Sequence, residues 1–89
     1  MVYNDTHNVT EAYMSKLLNS FRKGKQNVLD AYGSLKMAFN PNERKEVLNN
    51  MLRFIEQEIL NTDNNERLFF YYGYRYQTRK LLSDLNKSE

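Results

Sequence analysis

Nine consecutive residues, Leu68 to Tyr76, hold two phenylalanines, four tyrosines and a leucine, interrupted only by Gly73 and Arg75. Few folds can accept such a segment. As a helix it carries apolar bulk most of the way round, so one neighbouring element cannot cover it, and it must be central in a bundle or bound to something else. As a strand it would place Phe70, Tyr72, Tyr74, Tyr76 and Thr78 on one side, and aromatic residues do favour strands. No second run is present to pair with it, however, and it lies between a helix-capping signal and a leucine-rich helical end. The helix is the expected state.

From Thr10 onward the preceding chain reads as mainly helical. Met14, Leu17, Leu18 and Phe21 share a helical face, and the stripe resumes at Val28, Tyr32, Leu35 and Phe39. Met14, Phe21, Val28 and Leu35 recur every seven residues, so the face stays in phase across Gly24. A helical glycine costs only about 1 kcal/mol, and one long helix opening near Thr10, with Thr10 as cap, is expected. A continuous helix predicts that Gly24→Ala is neutral or stabilising. The alternative is a break at residues 23–27, where Asn27 and Asp30 resemble a cap with a first-turn acid.

Asn40-Pro41 ends this helix and begins the next. The proline ring disfavours helical geometry at Asn40, while Asn40 as N-cap, Pro41 in the first turn and Glu43 three residues on make a capping box. Val47, Leu48, Met51, Leu52, Ile55 and Ile59 then form one apolar face. Asp63 with Glu66 signals a third helix, ending in the conventionally amphipathic Leu81, Leu82 and Leu85. The expected fold is all-α: a small antiparallel bundle of three helices at about 10–39, 41–60 and 64–86, or four if the chain breaks at 23–27. Residues 1–9 are expected to form a flexible N-terminal tail, and 10–87 a single helical-bundle domain.

Composition narrows the function classes. There is no cysteine, and His7 is the only histidine, so no metal or cofactor site is expected. Three scattered glycines make no phosphate loop, and no nucleophile–base set can be assembled. A non-enzymatic role follows. No run is long and apolar enough to span a bilayer, and the N-terminus lacks a signal-peptide core, so a cytoplasmic protein is expected. Twelve asparagines are in keeping with an AT-rich bacterial or phage genome.

The candidate site is the aromatic–arginine cluster: Arg67, Phe69, Tyr71, Tyr72, Tyr74, Arg75, Tyr76 and Arg79. Tyrosine, phenylalanine and arginine are enriched at protein-binding hot spots, and the same residues can stack bases and reach phosphates. Packing of most of these rings in the bundle core is the competing reading. A second basic group, Lys16, Arg22, Lys23, Lys25 and Lys36, centres on Gly24 and reads as a nucleic-acid surface or as a solvated helix face. A net charge of only +2 favours a protein partner, or a second copy of the chain as a homodimer, over nucleic acid. The sequence thus describes a small helical binding protein acting through its third helix, with a nucleic-acid-binding regulator as the alternative.

Overall fold

The computed structural model describes the backbone of residues 2–87 and the side chains of residues 10–87. The side chains of the expected tail, 1–9, lie outside the described residues. Three helices make up the fold: α1 (Val2–Ala38), α2 (Pro41–Asn61) and α3 (Asn65–Lys87). Among the described residues there is no strand.

α1 passes through residues 23–27 without interruption, so three helices form rather than four. It also continues on the N-terminal side of Thr10, which sits within the helix instead of capping it. No proline or glycine lies between Val2 and Thr10 to stop the helix there.

The corner between α1 and α2 is built as the sequence reading expects. Glu43 N–H donates to Asn40 Oδ1 at 2.9 Å, and Asn40 N–H donates to Glu43 Oε1 at 3.0 Å, closing the capping box around Pro41. The Arg44 guanidinium stiffens the corner further. It donates to the Phe39 carbonyl at 3.0 Å and stands 6.0 Å from the centre of the Tyr32 ring. The corner before α3 differs by one residue from expectation. Asn64, not Asp63, is the cap: its Oδ1 accepts from Arg67 N–H at 2.9 Å. Asn64 also stands directly before the first helical residue, which is where a capping side chain reaches the third N–H.

Consecutive helices run antiparallel, which makes α1 and α3 parallel. Tyr13 meets Asn65 near the start of this pair, Phe21 meets Tyr76 midway, and Tyr32 packs with Leu85 near its end. α3 is the central element. It packs along both other helices, whereas α1 and α2 touch little. Among the described residues they converge with α3 around Tyr32, Leu48 and Leu85, where Leu35, Met51, Leu81 and Leu82 complete the main apolar cluster.

Higher up, α1 and α3 approach backbone to backbone. A β-carbon on Gly24 would lie 1.9 Å from the Phe70 carbonyl oxygen, and one on Gly73 would lie 1.9 Å from that of Phe21. The contact is reciprocal, because each glycine rests on the carbonyl three residues before the other. A Phe-x-x-Gly segment therefore occurs on both helices, Phe21 to Gly24 and Phe70 to Gly73. Neither glycine has a positive φ, so what is required is the missing side chain and not an unusual backbone. This overturns the expectation for Gly24→Ala. The helix is continuous, yet alanine has no room there.

Candidate functional site

The close approach decides where the rings of α3 go. With Gly73 against α1, the buried positions of α3 are Gly73, Gln77, Thr78 and Leu85. Thr78 is sealed by donating its hydroxyl to the Tyr74 carbonyl at 2.8 Å. None of the six rings between Phe69 and Tyr76 is fully buried. Phe69, Phe70, Tyr71, Tyr72 and Tyr74 are partly buried and Tyr76 is exposed, so the rings line the margins of the core rather than its centre. A ring needs separation between helix axes, and the glycine crossing removes it.

The predicted residues divide between different sides of α3. Phe69, Tyr72, Tyr76 and Arg79 follow one another at spacings of three and four, Arg75 stands three beyond Tyr72 and four before Arg79, and the five share an arc of the helix. The Phe69 and Tyr72 rings meet edge to face at 5.5 Å, and the Arg75 guanidinium lies 5.2 Å from the centre of the Tyr72 ring. Arg79 bridges to Glu56 of α2 at 3.1 Å. Tyr71 turns instead toward α2, its hydroxyl 3.4 Å from Glu58 Oε2. Tyr74 lies beside the glycine crossing, and burial pushes its hydroxyl pKa above the ordinary tyrosine value. Arg67 lines an open hollow with Ser20, Asn64, Glu66, Phe70 and Tyr71. The eight predicted partner-binding residues thus form no single surface, but five of them do.

The basic group around Gly24 is likewise dispersed. Lys16 pairs with Glu66 at 3.3 Å. Arg22 and Lys23 are exposed on α1, and Lys36 lies near the far corner, over the Tyr32 ring at 5.6 Å. Only Lys25 joins the aromatic arc. Its ammonium stands 5.9 Å from the centre of the Phe21 ring and 5.4 Å from that of Tyr76.

Lys25 and Phe21 show what the reading of α3 alone misses: α1 supplies half of the surface. Phe21 packs on Tyr76 with ring centres 6.0 Å apart. Met14 and Leu18, on the same side of α1 as Phe21, are about half exposed, at 52% and 49%. Tyr76 is exposed to 50%. Two stripes therefore run side by side, Met14, Leu18 and Phe21 on α1 and Phe69, Tyr72 and Tyr76 on α3. The signal available in the sequence was the width of the α1 stripe, since Leu17 and Leu18 together exceed what one neighbour covers.

Charge is distributed unevenly over the same region. Residues 12–29 and 67–83 contain no aspartate or glutamate, yet hold eight of the thirteen lysines and arginines. Parallel packing brings these two stretches together. Lys16 and Arg79 have carboxylate partners. Among the described residues Arg22, Lys23, Lys25, Arg67, Arg75 and Lys80 have none. The small net charge conceals a strongly basic middle.

The described residues hold no group of metal-ligating side chains, and no helix among them is long and apolar enough to cross a membrane. The chain matches no family model, and no curated protein or solved structure is significantly similar to it.

Proposed function

We propose that this chain is a non-catalytic binding protein that docks a partner protein across the face formed by α1 and α3. One observation carries the reading: Met14, Leu18 and Tyr76 remain about half exposed beside Phe21, Phe69 and Tyr72, although α3 is the central helix of the fold. An apolar face of this breadth on a small domain marks an interaction surface, and its mixture of tyrosine, phenylalanine and arginine is that of binding hot spots.

The uneven charge favours a second reading, a nucleic-acid-binding regulator, because six of these eight cations have no carboxylate partner among the described residues and suit phosphates. Ring geometry weighs against it. Lys25 already stands over Tyr76 and Arg75 over Tyr72, so these rings have less free face on which bases could stack.

The test is capture from cells that make the protein, with and without nuclease, comparing the unaltered chain with Tyr72→Ser/Tyr76→Ser. Circular dichroism first establishes that the variant keeps its helices. A protein retained by the unaltered chain, lost by the variant and indifferent to nuclease is the expected result. Capture that nuclease abolishes, or that the variant leaves intact, would overturn the reading.

A further inference from the structure

We infer that the occupant of the α1/α3 face is an acidic amphipathic helix of a partner protein, lying along the seam between the two helices. The inference rests on the docking function proposed above and adds the chemistry of what docks.

Shape is the first argument. Two parallel helices packed closely at a glycine crossing leave a shallow furrow along their line of contact. Apolar side chains border it at helical spacings, Met14, Leu18 and Phe21 on one side and Phe69, Tyr72 and Tyr76 on the other. From Met14 to Phe21, and likewise from Phe69 to Tyr76, the apolar border runs about 10 Å, two turns of a helix laid against it. An apolar helix face laid into such a furrow is an established mode of recognition.

Charge then selects among helices. Lys25 lies in the middle of the face, over both Phe21 and Tyr76, and Arg75 lies on Tyr72. Neither has a carboxylate partner among the described residues. An occupant covering the apolar stripes also takes these cations out of water, which is costly unless it brings the opposite charge. A neutral helix leaves both unpaired. A second copy of this chain adds its own Lys25 and Arg75, and like charges meet. Nucleic acid could satisfy the cations but would set a polar backbone against Met14 and Leu18. Carboxylates set among apolar residues on one helical face answer both demands.

The experiment selects binders of the full-length chain from a displayed library of random 20-residue peptides. Enriched peptides are then titrated at 0.15 M salt against the unaltered chain, Lys25→Gln/Arg75→Gln and Tyr76→Ala. A labelled 20-nucleotide oligothymidylate and sedimentation of the protein alone complete the set. Glutamine keeps much of each side chain's length, so the double variant isolates charge. The expected result is enrichment of peptides with aspartate or glutamate between leucine or aromatic residues at helical spacing. Their binding should weaken at least tenfold in the double variant and in Tyr76→Ala, and fall with added salt. Peptides that need Tyr76 but are indifferent to Lys25→Gln/Arg75→Gln would overturn the acidic occupant and leave the docking function standing. Failure to enrich any peptide that depends on Tyr76 would overturn both. Oligothymidylate bound more tightly than any peptide, through the same residues, would replace the partner helix by nucleic acid. A dimer at 0.15 M salt that Tyr76→Ala abolishes would replace it by a second copy.

Discussion

Three glycines of identical chemistry have different neighbourhoods, and alanine tells them apart. A β-carbon added to Gly24 or Gly73 would stand 1.9 Å from a backbone oxygen of the opposite helix, whereas nothing lies within 4 Å of one added to Gly33. Gly24→Ala and Gly73→Ala should each destabilise by about 1–3 kcal/mol, because backbone cannot swing aside as a side chain would. Gly33→Ala should be neutral or stabilise by up to about 1 kcal/mol, since alanine is the better helix former. Denaturant midpoints measure all three. Equal effects at the three positions would contradict the crossing. Asn40 is a second residue with a defined task, and Asn40→Ala should cost about 0.5–2 kcal/mol through loss of the cap. The cap was legible in the sequence because every atom it uses lies within four residues of chain. The glycine crossing was not, because it depends on two absent side chains separated by 49 positions. Periodicity reports side chains that are present.

At the scale of elements, α3 determines the arrangement. Its aromatic excess correctly marks it as the central helix, but not which arcs its neighbours cover. That depends on where α1 approaches, and α1 approaches at glycine. Rings that would have filled a wider gap are therefore set to either side of it. The three elements should also differ in protection. The backbones of α1 and α3 are in contact, while α2 leaves Phe54 and Leu60 at 59% and 77% exposure. Native-state hydrogen exchange should find the slowest amides between Leu17 and Val28 and between Phe70 and Thr78. The C-terminal half of α2 should open at lower free energy. Uniform protection along all three helices would show that α2 is held as firmly as the crossing.

The whole molecule has an unequal distribution of charge that its net value hides. Four of the acids lie on α2, Glu43, Glu46, Glu56 and Glu58, while the middle of the α1–α3 pair has none. Sedimentation at micromolar concentration and 0.15 M salt should accordingly give a monomer, since a two-fold contact across the basic face opposes like charges. A mass above the monomer that persists in Tyr76→Ala would locate self-association elsewhere on the surface. The same distribution bears on how the polypeptide can be divided. A protease that cuts after glutamate has sites at Glu11, Glu43 and Glu66, but none from Ala12 to Asn42 or from Arg67 to Lys87. One digest releases both halves of the glycine crossing as intact peptides, free of α2 beyond its first three residues. Mixing them asks whether two short chains recognise each other through their glycines alone. Helicity above the sum of the separate peptides, and its loss when either glycine is replaced by alanine, is the answer the crossing predicts.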